Sequence, residues 1–187
     1  NWLATAKEKQ IMVYQNDYTT SQSIAVILNV QSREFESKYI IDEARVENCI
    51  RVCASYFAGT LKSGLPVRFL ANAPLSNSSE SVISNEFAGT EHILNLYRTL
   101  ANLQLFSTQD FNAFLKETYD NLTSTDIVIV TSYINEGILD FSRKKIYDGV
   151  NVKLLVLGDI PQKCDCEAYS LANYFYQKGK NDEDKTA

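Results

Sequence analysis

One short stretch of the sequence, SIAVILNV at residues 23–30, decides the fold. Its apolar residues follow one another without alternation, which is typical of a strand buried on both faces of a parallel sheet. A long amphipathic helix follows it, starting at Asp42 and ending at Gly64. The apolar stripe of that helix, at spacings of three and four, consists of Val46, Cys49, Ile50, Cys53, Phe57 and Leu61.

Strands and helices alternate along the rest of the chain. Strands are predicted at residues 67–71, 127–131 and 152–157, with a weak strand around Val82 and Ile83. Helices are predicted after Gly89, after the Ser107-x-x-Asp110 capping pattern, at residues 136–147 and at residues 167–177. This alternation predicts an α/β fold, a doubly wound and mostly parallel sheet with helices on both faces.

The length of 187 residues and the 45% content of hydrophobic residues suit one domain with its own core. We assign that domain to residues 1–178, with a further strand at residues 9–15 and a frayed polar tail at residues 179–187. The opening on Asn1-Trp2 without an initiator methionine predicts a C-terminal fragment of a longer protein. No apolar run reaches the roughly 20 residues that cross a bilayer, so we expect the chain as given to be soluble, without membrane contact.

Charge and loop composition argue against two large ligand classes. The chain has 18 basic and 23 acidic residues, and the basic residues are scattered, so nucleic acid is not an expected partner. A dinucleotide site needs a glycine-rich turn after the first buried strand, but that turn reads NVQSR at residues 29–33. A phosphate-binding Walker A loop is also absent from the sequence. We therefore expect no cofactor.

Catalytic signals are weak throughout. The single histidine, His92, falls in the first turn of a predicted helix beside Glu91, where a solvated role is favoured over catalysis. Ser32 and Ser132 lack the G-x-S-x-G context of an activated nucleophile. We predict no catalytic residue. The competing hypothesis is a hydrolase or transferase that uses Ser32, Ser132 or Asp159 in the crevice at the carboxyl ends of the strands.

The four cysteines form two close pairs, Cys49 with Cys53 and Cys164 with Cys166. Together they could supply the four thiolates of a zinc site. Their C-x3-C and C-x-C spacings differ from the paired C-x2-C of zinc sites, which favours buried structural thiols.

Two segments of the chain resemble a bacterial family known as domain of unknown function fifty-eight. These are NWLATAK at residues 1–7, leading into IMV at residues 11–13, and the stretch at residues 23–30 with its helix and the GLPV that follows at residues 64–67. The most specific part is Trp-x-Ala-Thr-Ala, in which Trp2, Thr5 and Ala6 form a structural motif. The likeness spans essentially the whole chain.

The resemblance implies a von Willebrand A-like domain that works with a MoxR-type AAA+ ATPase. It also implies upstream membrane helices, so that the full-length protein is membrane-anchored with this domain in the cytoplasm. On these grounds the expected function is that of a non-enzymatic protein-interaction or scaffold module. The oligomeric state stays open.

Von Willebrand A domains bind a divalent cation through Asp-x-Ser-x-Ser, a threonine and an aspartate. By the resemblance, the matching positions are Asn29, Gln31, Arg33, Thr90 and Ser132. Hard cations need anionic oxygen ligands, so we expect no metal at these positions. The hypothesis instead is a metal-free rim that binds a partner directly, and a solvated loop is the competing interpretation. That rim consists of Asn29, Gln31, Ser32, Arg33, Thr90 and Ser132.

Removing residues 1–17 tests whether the opening segment is structural. Trp2 is expected to pack against the domain or its missing neighbour, and residues 11–13 are expected to pair as a strand. The truncated chain should therefore melt at a lower temperature than the intact chain. Thermal unfolding followed by circular dichroism measures the difference. An unchanged melting temperature would identify the segment as a linker.

Overall fold

The computed structural model describes residues 22–36 and 38–172. Several predicted features lie outside these residues: the strand at residues 9–15, the motif of Trp2, Thr5 and Ala6, and the tail at residues 179–187. The described residues form a single six-stranded sheet, in the order β3-β2-β1-β4-β5-β6, with helices on both faces. The predicted doubly wound α/β fold is confirmed.

The sheet is parallel except for one short strand. Its strands are β1 (Ile24–Leu28), β2 (Val67–Ala71), β3 (Val82–Ile83), β4 (Asp126–Thr131), β5 (Asn151–Val156) and β6 (Glu167–Ser170). Among the strands within residues 22–172, only β3 pairs antiparallel, with the end of β2. Strand β1 lies between β2 and β4, and Val26 is in register with Phe69 and Val128. All five of its residues are buried, as the uninterrupted apolar run predicts.

Three of the four α-helices in the described ranges begin at a residue whose side chain accepts backbone N–H hydrogen bonds of the first turn. The four are α1 (Glu43–Ser63), α2 (Thr90–Ala101), α3 (Phe111–Thr118) and α4 (Glu136–Tyr147). Asp42 accepts a hydrogen bond from the backbone N–H of Arg45 at the start of α1, at 3.0 Å. Gly64 ends α1 in the left-handed conformation with φ of 68°, which a glycine adopts without steric cost. Asp110 and Asn135 cap α3 and α4 in the same way as Asp42.

Two apolar cores lie on opposite faces of the sheet. Alternate side chains of β1 divide between them: Val26 and Leu28 pack against α1 and α2, whereas Ala25 and Ile27 pack against α3 and α4. The α1 stripe buries Val46, Cys49, Cys53 and Phe57 as predicted, but Ile50 is only partly buried. Phe57 packs edge-on against Phe69 of β2, with ring centroids 5.6 Å apart. Burial of large side chains on both faces makes β1 the structural centre of the domain.

The prediction of a helix at residues 167–177 is wrong for residues 167–170. Residues Glu167–Ser170 form β6, which pairs in parallel with β5. Backbone hydrogen bonds along the open edge of β5 outweigh a weak helical pattern in EAYS, and Tyr169 has the aromatic side chain that strands favour. The remainder of the predicted helix, at residues 173–177, lies outside the described residues.

The two cysteine pairs lie on opposite faces of the sheet and do not converge. Cys49 and Cys53 belong to the core under α1, whereas Cys164 and Cys166 pack at the edge of the core under α4. A four-thiolate zinc site built from both pairs is therefore excluded by the topology. Burial raises the pKa of the Cys49 thiol to about 12, and burial also raises the pKa of Cys53.

Thiol alkylation of the native protein should separate the two pairs. At pH 8 we expect iodoacetamide to modify Cys164 and Cys166, which are half-buried, well before Cys49 and Cys53, which lie completely buried in the core where the reagent cannot reach them. Mass spectrometry of peptides from native and urea-unfolded samples measures the order. Equal labelling of all four cysteines in the native state would contradict the described core.

Candidate functional site

The candidate site lies at the carboxyl ends of the parallel strands, where ligand crevices form in doubly wound sheets. Asn29 and Asn72 follow β1 and β2, and Ser132 and Gly158 follow β4 and β5. The chain between β1 and α1, residues 30–42, crosses this edge and is here named the carboxyl-edge loop. Residue 37 of the loop is outside the described residues. These segments place Asn29, Gln31, Ser32 and Ser132 at the same edge of the sheet.

Asn29 is completely buried and has hydrogen-bond partners at both ends of its amide. Its Nδ2 donates to Oγ1 of Thr131 at 3.1 Å, and its Oδ1 accepts from the backbone N–H of Gln31 at 2.9 Å. The neighbouring Asn72 behaves similarly, since its Oδ1 accepts from the backbone N–H of Val30 at 2.9 Å. The amides thereby connect the ends of β1, β2 and β4.

Gln31 ties the carboxyl-edge loop to helix α3. Its Oε1 accepts from the backbone N–H of Phe111 at 2.9 Å, and its Nε2 donates to the carbonyl of Glu36 at 2.7 Å. The phenol of Tyr133 also donates to Oε1, at 3.4 Å. Burial is the main reason that the pKa of Tyr133 is raised to about 12, which keeps this donor protonated. All polar atoms of the Gln31 side chain are thus engaged within the domain.

The carboxylate of Glu36 holds the carboxyl-edge loop in its conformation. One oxygen, Oε2, accepts from the backbone N–H of Ser32 at 2.5 Å, and Oε1 accepts from the Ser32 hydroxyl and the Ile41 N–H, both at 2.6 Å. The Ser32 hydroxyl in turn accepts from the backbone N–H of Asp42 at 3.1 Å. Charge-assisted bonds of this kind are short and strong. The buried Glu36 therefore joins both ends of the loop to the start of α1.

Ser132 and Gly158 form the tightest backbone contact of the edge. A Cβ on Gly158 would lie 2.6 Å from the carbonyl oxygen of Ser132, so only glycine fits there. The Ser132 hydroxyl is 3.5 Å from Sγ of Cys49, and it is buried. Arg45 of α1 also contacts this region, because its Nη2 donates to the carbonyl of Leu157, after β5, at 2.9 Å.

The predicted polar rim is wrong for four of its six residues. Asn29, Gln31, Ser32 and Ser132 are each at most 1% exposed, and their polar groups are used inside the domain. The physical reason is that β1 is buried on both faces, so the residues that follow it are also covered and must find internal partners. Arg33 is exposed, and in the described part of the chain no ion pair involves it.

The sequence analysis placed Thr90 at the carboxyl ends of the strands, and this is also wrong. Thr90 lies at the amino end of the sheet. The preceding Phe87 pairs with Val67, the first residue of β2. Nε2 of His92 donates to the Val67 carbonyl at 2.7 Å, which gives this histidine a structural contact in place of the expected solvation. Strand β3 returns the chain to the amino end of the sheet, so α2 begins there.

Thr108 is the threonine that the fold places at the carboxyl edge. Its hydroxyl donates to the carbonyl of Asn72 at 3.1 Å and lies 2.5 Å from the Ser81 hydroxyl. The order of the elements could have identified this threonine. One strand and two helices, β3, α2 and α3, connect the parallel strands β2 and β4, and they must run in alternate directions along the sheet. The middle element must then run towards the carboxyl edge and end there, which directs attention to residues 102–110. Glu36 carried no signal in the sequence beyond that of a solvated loop charge.

The exposed surface of this edge contains three large apolar side chains beside the charged Arg33, Glu34 and Lys38. The described part of the carboxyl-edge loop presents Phe35, Tyr39 and Ile41, with 89%, 77% and 66% of their surface exposed. Phe35 has a φ of 60°, a left-handed conformation that is unfavourable for a bulky side chain. The loop also pairs Tyr39 with Phe106 through a β-bridge, and Nζ of Lys38 lies 5.0 Å from the Phe106 ring centroid. The described part of the loop thus displays three large apolar side chains and is joined to the segment that contains Phe106.

A groove of about 380 Å³ lies beside this apolar surface. It runs between the carboxyl-edge loop, the turn at Ser78 and Ser79, and the segment that contains Phe106 and Thr108. Exposed apolar side chains beside a groove are a common feature of surfaces that bind other macromolecules.

The donor set at this edge does not fit a hard divalent cation. Asn29 and Gln31 offer neutral amide oxygens that already accept backbone N–H bonds. The nearby carboxylate of Glu36 accepts three hydrogen bonds from the loop itself. Magnesium draws on anionic oxygens that are free to coordinate. Among residues 22–36 and 38–172, no group of three or more His, Cys, Asp and Glu side chains is placed to share a metal ion.

Solved structures with a similar fold include an aerotolerance-related membrane protein from Bacteroides fragilis, crystallised with multiple mutations to serine. The similarity has a TM-score of 0.50 at 12% sequence identity, and it covers 72% of this chain and 67% of the other. At this identity the likeness concerns the fold alone. The fold of the chain is von Willebrand A-like, as predicted.

Two further structures are more distant. Proximal thread matrix protein 1 from the mussel byssus has a TM-score of 0.47 at 11% identity, covering 73% of this chain and 37% of its own. The N-terminal domain of TFIIH p34 has a TM-score of 0.34 at 11% identity, covering 84% and 85%. No protein-family model matches the sequence, and no curated protein matches it. None of the helices in the described ranges is long and apolar enough to cross a membrane.

Replacing Glu36 with glutamine tests the support of the carboxyl-edge loop. In the variant, the NH2 group of glutamine faces N–H and O–H donors from which the Glu36 carboxylate accepts in the unmodified protein. We therefore expect the unfolding free energy to fall by about 1–3 kcal/mol. Urea denaturation measures it, and Glu34→Gln is the matched control because Glu34 is an exposed neighbour in the same loop. Equal stability of the two variants would show that Glu36 does not hold the loop.

Proposed function

We propose that the chain is a non-enzymatic protein-interaction module that binds its partner through the exposed apolar residues of the carboxyl-edge loop. The observation that carries this proposal is Phe35, which is 89% exposed and held at a φ of 60°. Strain of this kind persists only where the surrounding structure maintains it, and it is concentrated at functional positions. Internal hydrogen bonds of Glu36 provide that maintenance.

The chemistry of the edge supports a binding role over a catalytic one. Ser32 is buried, and its hydroxyl donates to Glu36 and accepts from the backbone N–H of Asp42. The Glu36 carboxylate beside it also accepts from two backbone N–H groups of the loop, so this pair serves the loop structure and is not exposed to a substrate. Ser132 is buried against Cys49, whose thiol is protonated at neutral pH. Neither hydroxyl has the exposed nucleophile–base arrangement of hydrolytic enzymes.

We also propose that this edge functions without a metal ion. Amide and hydroxyl hydrogen bonds hold together the strand ends that, in metal-binding von Willebrand A domains, a cation and its aspartates connect. Arg33 adds a positive charge on the exposed side of the loop, which favours an acidic group on the partner next to its apolar contact. Recognition is then independent of divalent cations.

For the partner, we propose a MoxR-type AAA+ ATPase, on the strength of the resemblance of NWLATAK and the residues 23–30 region to domain of unknown function fifty-eight. The same resemblance supports a longer, membrane-anchored protein with this domain in the cytoplasm. The protein of similar fold from Bacteroides fragilis is a membrane protein, which supports the proposed membrane anchor.

A single substitution, Phe35→Gly, separates binding from stability. Glycine adopts a positive φ without strain, so the variant should be as stable as the unmodified protein or more stable by up to about 1 kcal/mol. It removes the exposed ring, so its affinity for a purified MoxR-type ATPase from the same genome should fall by at least about tenfold, the effect of losing an interface hot spot. Biolayer interferometry with the full-length protein measures the affinity.

Tyr147→Gly is the matched control for that experiment. Tyr147 is the last residue of α4, lies near the amino end of the sheet and is 92% exposed. The control variant therefore loses an equally exposed aromatic ring far from the carboxyl-edge loop. Its affinity should equal that of the unmodified protein. Loss of binding in both variants, or in neither, would contradict a role for the carboxyl-edge loop.

A further inference from the structure

Helices α3 and α4 border a cleft on the face of the sheet opposite α1. Its volume of about 610 Å³ is that of a small-molecule site. The lining residues recur at spacings of three and four, from Asn112 to Tyr119 and from Gly137 to Lys144. Two of them, Leu115 and Phe141, are 1% and 5% exposed and give the cleft an apolar floor. None of the described residues of the carboxyl-edge loop lines this cleft.

The aromatic end of the cleft is held in place by contacts of Tyr119, in the turn that follows α3. Its phenol donates to Oδ2 of Asp148 at 2.6 Å, and its ring packs edge-on against Phe141 with centroids 5.7 Å apart. Nζ of Lys145 lies 4.0 Å from the centroid of the Tyr119 ring. The same ammonium donates to the carbonyls of Tyr119 and Leu122, at 2.8 and 3.0 Å. The domain's own contacts therefore fix the shape of this end.

The charges that line the cleft favour an anion. Lys116 of α3 and Lys144 of α4 are exposed, and in the described part of the chain neither takes part in an ion pair. Of the two lining carboxylates, Asp140 already pairs with Arg143 at 2.7 Å, whereas Asp120 has no ion pair within the same ranges. Two unpaired cations thus stand beside one unpaired carboxylate, which leaves a positive balance.

The cleft also contains an acceptor without a partner. Oδ1 of Asn112 is buried and accepts no hydrogen bond from the residues that the structure describes. It lies against Gly137 of α4, where a Cβ would overlap with it. An unpaired buried acceptor is unfavourable. A ligand N–H or O–H group would remove that penalty once the carboxamide turns towards the cleft.

We propose that the cleft between α3 and α4 binds a small aromatic anion that carries an N–H or O–H donor. The aromatic body packs on Leu115 and Phe141, and the acidic group lies between Lys116 and Lys144. The donor bonds to Oδ1 of Asn112, one helical turn before Lys116 on the same face of α3. This site is separate from the carboxyl-edge loop and does not depend on the function proposed for that loop.

A titration of the unmodified protein with 8-anilinonaphthalene-1-sulfonate tests the site, because this probe combines an aromatic body, a sulfonate and an N–H group. Its fluorescence gives the affinity, and calorimetry gives the stoichiometry, which should be one probe per chain. Lys116→Gln and Lys144→Gln should each weaken binding by about threefold, the effect of losing an exposed ion pair. Asp120→Asn should strengthen it by a similar factor. Lys62→Gln is the matched control, because Lys62 is exposed on α1 at the opposite face and should leave the affinity unchanged.

Asn112→Leu tests the hydrogen bond to the carboxamide. The variant should bind the probe about fivefold more weakly, the effect of losing one hydrogen bond. Its unfolding free energy in urea should not fall, because the acceptor that it loses has no partner within the domain. Absence of saturable binding by the unmodified protein would overturn the site, as would equal affinities in the two cleft lysine variants and in Lys62→Gln. A loss of binding confined to Phe35→Gly would place the probe on the carboxyl-edge loop and would also overturn it.

Discussion

Burial of β1 on both faces is the constraint on which the rest of the structure depends. Its side chains enter both cores, and its neighbours β2 and β4 occupy both edges, so no part of the strand faces water. The chain that leaves β1 consequently starts at a buried position. Asn29, Gln31 and Ser32 must satisfy their polar groups within the domain, since an unpaired buried group costs about 1–3 kcal/mol.

The hydrogen bonds at the carboxyl edge follow from that requirement. Asn29 joins the loop to β4, Gln31 joins it to α3, and Glu36 joins its two ends. The outward side of the loop presents the apolar side chains of Phe35, Tyr39 and Ile41 together with three charged residues, Arg33, Glu34 and Lys38. The same network thus stabilises the strand ends and determines which residues a partner would meet.

Much of the fold was predictable because long periodic patterns report burial directly. The run at residues 23–30 and the stripe of α1 are of this kind. The short edge strand β6 was predicted as a helix, because four residues carry too little periodicity to show pairing with β5. Its formation depends on backbone partners supplied by a distant part of the chain.

The sequence predicted where the candidate site lies but not which of its side chains are buried. Strand ends indicated where Asn29 and Ser132 meet, yet nothing in the local sequence shows that they are buried. Thr90 was misplaced because the two-residue strand β3 reverses the chain, and the importance of so short an element is visible only in three dimensions. Glu36 was missed because its role depends on the N–H groups of Ser32 and Ile41, which the loop conformation brings to it.

The most direct test of a carboxyl edge held by internal hydrogen bonds is a calorimetric titration of the unmodified protein with magnesium and with manganese. The account predicts no binding heat beyond dilution, with the triple variant Asn29→Asp, Arg33→Ser, Ser132→Asp as a partial restoration of a cation site for comparison. Stoichiometric binding of either cation by the unmodified protein, abolished by Asn29→Ala, would contradict it.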